Sequence, residues 1–294
     1  MNATLNGGDG TDSNGTDSNG TDSNGTDSGA GDRRTHRRIL GLDFFIGGAA
    51  EAVDCMDGGG LLVVPAAPAL KNLDRDAGYR EALQHADLRI TDSAFMVLVW
   101  NFLERDRIRR LSGLEYVVEL FGRADVRRPG ATLWIMAGPT SAARNVAWLQ
   151  KQGFHVCPED VYMAPMYSDE IADTRLLEIL GQRRPKHVVV TVGGGTQERL
   201  GLYLKRRLPY LPAIHCIGAA IAFLSGDQVH IPRWADRSYL GWLFRCASNP
   251  KRFVPRYWEA RQLFGLMVRY RSTLPGALSP PAAPAPAGHP ASHE

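Results

Sequence analysis

Val188 to Arg207, VVVTVGGGTQERLGLYLKRR, decides the fold of this chain. Three valines and a threonine read as a buried strand, three glycines end it, and an amphipathic run follows with Leu200, Leu202 and Leu204 set against Lys205, Arg206 and Arg207. A strand that empties through glycines into a helix start leaves backbone N–H groups facing outward at the positive end of the helix, which is a seat for phosphate. The dinucleotide fingerprint is not met, because Gly193 and Gly195 are followed at the third position by Glu198 rather than Gly or Ala. A nucleotide or sugar-nucleotide seat outside the NAD pattern is one reading, with Gln197 and Glu198 at the helix mouth to hold a base, ribose or sugar hydroxyl. A glycine-rich turn capped by Thr196 is the other.

The same rhythm runs through the chain on both sides of this stretch. Strands are expected at Arg38 to Phe45, Gly60 to Ala66, Leu88 to Thr91, Thr132 to Ala137, His187 to Val192 and Ala213 to Ile217. Helices are expected at Ala49 to Met56, Gly78 to Ala86, Ala94 to Phe102, Ser141 to Gln152, Ile171 to Gln182 and Gln197 to Arg207. This alternation implies an α/β domain with a Rossmann-like, mostly parallel sheet and helices on both faces. Ligands of such sheets bind beyond the carboxyl ends of the strands, so the loops after Thr91, Ala137, Val192 and Ile217 are the places for chemistry, and Gly138, Gly193 and Gly218 stand close to three of those ends.

Asp92, in RITDSAF, is a carboxylate at one strand end and a candidate general base. Its alternative is a cap, since either Asp92 or Ser93 can start the helix from Ala94. Arg109 and Arg110 precede SGLEYV, where Ser112 and Glu115 have capping-box spacing. Arg110 can serve a diphosphate through its planar guanidinium or remain a solvated surface charge. Asp74 and Asp76 form a DxD in a polar segment away from the strand ends and read as solvated charge.

Composition divides the chain into four parts. Residues 1–32 contain six Asp, no Lys or Arg, and three copies of NGTDS from Asn14 to Ser28, the mark of a disordered acidic tail. Residues 33–227 form the α/β domain. Residues 228–273 hold nine basic residues against two acidic and nine of the chain's twenty-five aromatic residues, so they form a basic aromatic helical appendage. Residues 274–294, rich in Pro and Ala, read as a second disordered tail. Without its first thirty-two residues the chain carries 34 basic and 25 acidic residues, a net +9. Basic residues interleaved with aromatics suit an anionic membrane surface, and nucleic acid would use the same ingredients. Asn249 and Pro250 look like cap and first turn, Pro255 is expected to kink or restart the helix, and Tyr257, Ala260, Phe264, Met267 and Val268 keep helical spacing. No apolar run approaches the ~20 residues of a membrane span, and Cys55, Cys157, Cys216 and Cys246 form no CxxC pair. With no GxSxG and no metal-ligand spacing among the eight histidines, hydrolase and metal-centre readings fall away.

Taken together, these segments resemble the WecG/TagA/CpsF glycosyltransferase family, from about Arg38 to Tyr270. TDSA with Asp92, the set Arg110, Gly113 and Glu115, GGGTQE with Gln197 and Glu198, CIGAAIAFLSG with Gly218, Phe223 and Gly226, and HIPRWADRSYLGWLFR followed by NPKRFVPRY carry the likeness. The resemblance implies an inverting, metal-independent hexosyltransferase without cofactor. It would move an N-acetylmannosamine-type sugar from a UDP donor to a polyprenyl-diphosphate-linked acceptor in cell-surface polysaccharide or exopolysaccharide synthesis. On this basis Asp92 is the expected base. Thr91, Arg110, Glu115, Gly138, Gly193, Gly194, Gly195, Gln197, Glu198 and Gly218 are expected at the donor and acceptor. Arg233, Arg237, Arg245, Arg252 and Arg256 are expected over the diphosphate and the anionic lipid. The expected partners are the two substrates and the membrane rather than nucleic acid, at the inner face of the cell membrane, with a homo-oligomer left open. Departures from the pattern are Val64, Pro65 and Ala66 in place of Thr-Pro-Asn, Gly195 in place of Pro, Ile221-Ala222 in place of Phe-Asp, and Gly241 in place of Glu. The altered residues keep a second class open, a sugar-nucleotide-binding regulator without turnover, beside the third, a basic nucleic-acid-binding protein.

Overall fold

A computed structural model describes residues 35–168, 170–226 and 241–276 of the chain, apart from the side chains of residues 241, 242, 245, 252 and 256. The NGTDS repeats, Arg233, Arg237 and the side chains of Arg245, Arg252 and Arg256 lie outside the described residues.

Eight strands are described. β1 (His36–Ile39) and β2 (Leu42–Phe45) form an antiparallel hairpin, while β3 (Gly60–Val63), β4 (Leu88–Arg89), β5 (Thr132–Met136), β6 (Val161–Met163), β7 (His187–Val190) and β8 (Ala213–Cys216) form one parallel sheet in the order β4-β3-β8-β7-β5-β6. The single strand expected over Arg38 to Phe45 is therefore corrected to two. Leu40 and Gly41 both take positive φ, 52° and 74°, which matches the two-residue turn whose twist suits a hairpin. Gly41 is also the only side chain that fits there, because a Cβ would lie 2.5 Å from that of Leu274. Leu274 packs against the core and Pro275 is buried, so the packed chain continues past the expected boundary at 273.

Alternation along the strands sends Leu61, Val63, Val188, Val190, Ile214 and Cys216 to one face and Leu62, Val64, Trp134, Val189 and Ile217 to the other. The first face is covered by α2 (Ala67–Leu70), α3 (Ala77–His85), α4 (Ala94–Glu104), α8 (Thr174–Arg183) and α9 (Thr196–Arg207). The second carries α1 (Ala49–Asp54), α5 (Gly113–Gly122), α6 (Ala124–Arg127), α7 (Pro139–Lys151) and α10 (Ala220–Ser225). A glycine inside α9 lets that helix sit hard on the sheet: a Cβ at Gly201 would meet Leu61 Cδ1 at 2.5 Å and Cys216 Sγ at 2.8 Å. The fold is α/β and Rossmann-like, with helices on both faces of a parallel sheet and helices at its C-terminal end.

Those last helices are α11 (Gly241–Ser248), α12 (Pro250–Ala260) and α13 (Gln262–Tyr270). α12 runs through Pro255, and the break expected there comes at Arg261 instead. The buried stripe is Ala260, Leu263 and Met267, all part of the first core, whereas Phe264 and Val268 are exposed. Of the residues with helical spacing, Ala260 and Met267 therefore face the core together with Leu263, while Phe264 and Val268 do not, and the docking of α13 on α4 decides which side is covered.

Candidate active site

Neighbouring strands of the sheet send their loops to opposite faces where β8 lies between β3 and β7: β3 and β7 lead to α2 and α9 on the first face, and β8 leads to α10 on the second. Such a reversal opens a crevice at the carboxyl edge. Along that edge stand, in order, the ends of β4, β3, β8, β7 and β5, which carry Asp92, Val64, Gly218, the glycine triplet and Gly138.

At the β4 end the cap is settled locally. Ser93 Oγ accepts the Met96 N–H at 3.1 Å and caps α4, which releases the carboxylate of Asp92 from that duty. Asp92 Oδ1 instead accepts the Gly113 N–H at 2.9 Å, from the first residue of α5, and Arg110 Nη2 at 3.3 Å. Arg110 Nε also donates to the Asp92 carbonyl at 2.6 Å, so one guanidinium grips both the main chain and the side chain of the aspartate. Asp92 Oδ2 accepts no hydrogen bond among the described residues.

Two of the sequence-selected residues build this arrangement from beneath. Thr91 is fully buried; its Oγ1 donates to the Arg109 carbonyl at 3.2 Å and accepts the Leu111 N–H at 2.9 Å, which pins the segment that presents Arg110. Glu115 and Ser112 form the expected capping box, with Ser112 Oγ accepting Glu115 N–H at 3.0 Å and Glu115 Oε2 accepting Ser112 N–H at 3.3 Å. The box fixes the start of α5 and thereby the amide that holds Asp92. Glu115 Oε1 also meets Arg109 at 3.4 Å.

The glycine triplet turns into α9 with Gly195, at φ 93°, as the cap, and Thr196 is the first helical residue rather than the cap. Glu198 is wholly buried beneath this turn: Oε2 accepts the Gly195 N–H at 2.6 Å and Oε1 accepts Gln197 Nε2 at 3.0 Å. Burial raises its pKa from the ordinary carboxylate value, opposed by the hydrogen bonds from Gln197 and Gly195. The Gln197 N–H goes to the Gly193 carbonyl at 3.1 Å. The amides of Gly193, Gly194 and Thr196 find no acceptor among the described residues outside their helix, and the two glycines are exposed. Gln197 Oε1 is buried without a donor among the described residues, and a Cβ on Gly218 would stand 3.4 Å from it. A buried amide oxygen left open in this way is costly unless something donates to it.

Gly113 and α10 lie between the two halves. A Cβ at Gly113 would lie 3.7 Å from Asp92 Oδ1, 2.9 Å from Val64 Cγ1 and 3.9 Å from Ala220 Cβ, while Gly218, two residues before Ala220, borders Gln197. Three inter-strand spacings separate the β4 and β7 ends, about 14 Å. Gly138 caps α7 one strand beyond, at the β5 end.

The DxD reading is revised. Asp76 Oδ1 caps α3 by accepting the Tyr79 N–H at 2.8 Å and Oδ2 lies 3.6 Å from Arg199, so this carboxylate is structural rather than solvated. No cluster of three metal-ligating side chains occurs among the described residues. Sequence reading also missed a buried polar line on the second face: Tyr116 Oη to His215 Nδ1 at 2.8 Å, His215 Nε2 to His187 Nδ1 at 3.2 Å, and His187 Nε2 to Asp125 at 3.2 Å. Its only sequence signal was a histidine in each of two apolar strands.

Comparison with known proteins gives one positive result. The family model described as the Glycosyl transferase WecG/TagA/CpsF family matches residues 37–276. No curated protein matches the sequence.

Proposed function

We infer the reaction from the premise that this chain belongs to the WecG/TagA/CpsF family and is a glycosyltransferase with a sugar donor and an acceptor as its substrates. The reading is an inverting transfer from a UDP-sugar. The acceptor hydroxyl gives its proton to Asp92 Oδ2, and its oxygen forms a bond to the anomeric carbon. The bond from that carbon to the diphosphate oxygen breaks on the opposite face, and UDP departs with the electron pair.

The observation that carries this reading is the pairing, on one carboxyl edge, of a base held by one oxygen with a set of open amides. Gly113 and Arg110 occupy Asp92 Oδ1 and leave Oδ2 for the proton. The amides of Gly193, Gly194 and Thr196, at the positive end of the twelve-residue α9, offer the developing diphosphate charge its donors. Glu198 acts on this site through Gly195, as the residue that holds the loop, and Thr91 and Glu115 act through Arg110 and Gly113. Gln197 Oε1, buried and without a donor among the described residues, is read as the acceptor for an N–H or O–H of the sugar, as an N-acetylmannosamine-type donor supplies. Asp76 is engaged by Tyr79 and Arg199, so the reading assigns the diphosphate charge to amides rather than to a DxD-bound metal.

The acceptor is read as a polyprenyl-diphosphate-linked sugar at an anionic membrane surface, for polysaccharide assembly. Support comes from the net +7 of residues 228–273 and their nine aromatics. No helix among the described residues is long and apolar enough to cross a membrane, which fits contact from one side. A donor screen against polyprenyl-diphosphate acceptors, read by product mass, tests the reading. A hexose-sized mass gain with a UDP-sugar is expected, and the reading is refuted if no UDP-sugar is transferred.

A specific observation favours a second reading, that of a sugar-nucleotide binder without turnover. Val64 is buried against Gly113 beside Asp92, and Ala66 follows, where two hydrogen-bonding side chains would otherwise face the acceptor. UDP binding with no transfer to any acceptor is the outcome that would select it.

A further inference from the structure

α4 reads AFMVLVWNFLE, nine apolar residues in eleven, yet only one side of it is covered. Met96, Val97, Val99 and Trp100 enter the core, while Phe95, Leu98 and Phe102 are 37%, 52% and 78% exposed. Positions 95, 98 and 102 fall within about 60° of one another around a helix, so the exposed side chains form a single stripe. A helix apolar on all sides belongs inside a protein or against lipid, and this one is neither buried nor, at about 16 Å, long enough to span a bilayer.

Charge selects the occupant. Beyond the last turn come Arg105 and Arg107, both exposed, and neither side chain makes a hydrogen bond or ion pair among the described residues. The acidic groups around them are already neutralised: Glu104 by Arg271 at 2.7 Å, Asp106 by Arg37 at 2.8 Å. α13, packed beside α4, adds exposed Phe264 and Val268 with Arg269 on the next turn. An apolar stripe bordered by unpaired arginines is the composition of a helix that lies in the plane of an anionic bilayer.

We propose that the exposed stripe of α4, with Arg105 and Arg107, is a docking face of the catalytic domain itself for an anionic lipid surface. This rests on the membrane reading above and deepens it, because α4 begins two residues after Asp92. A helix lying flat at the interface holds the base at headgroup depth, where a lipid-linked diphosphate presents its sugar. The C-terminal arginines then share the contact instead of making it alone.

The test uses the full chain with vesicles of phosphatidylcholine, alone or mixed with phosphatidylglycerol, in a flotation assay at low salt. Arg105→Glu with Arg107→Glu should weaken binding to the mixed vesicles by about thirty-fold or more, since each basic residue near such a surface contributes about fivefold. Leu98→Ser with Phe102→Ser should weaken it at least about tenfold through lost apolar burial. Both variants replace exposed residues and should keep the wild-type melting temperature. Transfer to a short-chain, water-soluble acceptor should match the wild type, which separates the docking claim from the transferase reading: absence of transfer by the wild type would remove the latter and leave the vesicle result standing. Vesicle binding equal to wild type in both variants overturns the proposal. So does a change confined to self-association in sedimentation, which would assign the stripe to a second copy of the chain.

Discussion

Gly113→Ala is the substitution that bears most directly on how the aspartate is held. The new methyl would sit 2.9 Å from Val64 Cγ1, well inside the ~3.5 to 4.0 Å of ordinary carbon contact, so α5 or β3 must give by about half an ångström or more. Gly113 has no positive φ, so the backbone itself accepts alanine. Overpacking costs about 1–3 kcal/mol, and the helix preference of Ala over Gly returns about 0.5–1. The net loss, about 0–2.5 kcal/mol, lowers Tm by up to several degrees in a domain of this size. The larger effect falls on the reaction. The Gly113 N–H that holds Asp92 Oδ1 moves with the helix, and a displacement near 1 Å at a reacting group costs up to about 10²-fold. Donor binding should persist, because the glycine loop hangs from β7 and α9. Transfer rate, UDP thermal shift and melting temperature are measured for Gly113→Ala, Val64→Ala and the double variant. Removal of Cγ1 should return part of the lost rate, with a coupling above ~0.5 kcal/mol. Wild-type transfer by Gly113→Ala, or no recovery in the double variant, would refute the reasoning.

Three further outcomes follow from the same geometry. Burial pushes the His215 pKa down from 6.5 to about 3 and lowers that of His187, so the folded state keeps His215 neutral over a range in which the unfolded chain protonates it. The stability tied to His215 is present above about pH 6.5 and is lost as pH falls toward 3, by up to about 1.4 kcal/mol per pH unit. Urea unfolding at descending pH should show that slope, and His215→Asn should flatten it; equal slopes would contradict the assignment. The Tyr79 hydroxyl is buried without a partner among the described residues, so Tyr79→Phe should leave Tm unchanged or raise it, and a clear drop would reveal a missed partner. Gly195→Ala imposes a side chain at φ 93°, at a cost of about 1–2 kcal/mol, and should weaken UDP binding in calorimetry about tenfold; undiminished affinity would disconnect the loop from the donor.

The parallel sheet was legible because its strands are apolar on both faces and end in glycine or polar residues. Val188 to Val190 feed opposite cores, and no alternation is needed to mark them. β6 was missed since Val161–Met163 is a short, partly exposed edge strand with no periodic signal. The hairpin was hidden in one apolar run, although Gly41 inside it was a turn signal. In the site, the residue types were readable but their division of labour was not. Asp92 and Ser93 are equivalent candidates on paper, and only Ser93 reaches the Met96 amide. Glu198 stands three residues after Gly195, the spacing at which a carboxylate turns back to its own cap, and burial commits it to the loop. Thr91 likewise reaches a backbone 18 to 20 residues away, which no local pattern encodes.

Asp92→Asn tests the central claim most directly. The amide oxygen can still accept the Gly113 N–H, so the variant preserves the shape of the site while removing the base. Single-turnover transfer and UDP binding measured on the same preparation should show a loss of about 10²- to 10⁴-fold in the transfer step with donor affinity unchanged. Transfer at the wild-type rate by a variant that binds UDP normally would contradict the assignment of Asp92 as the group that takes the acceptor's proton.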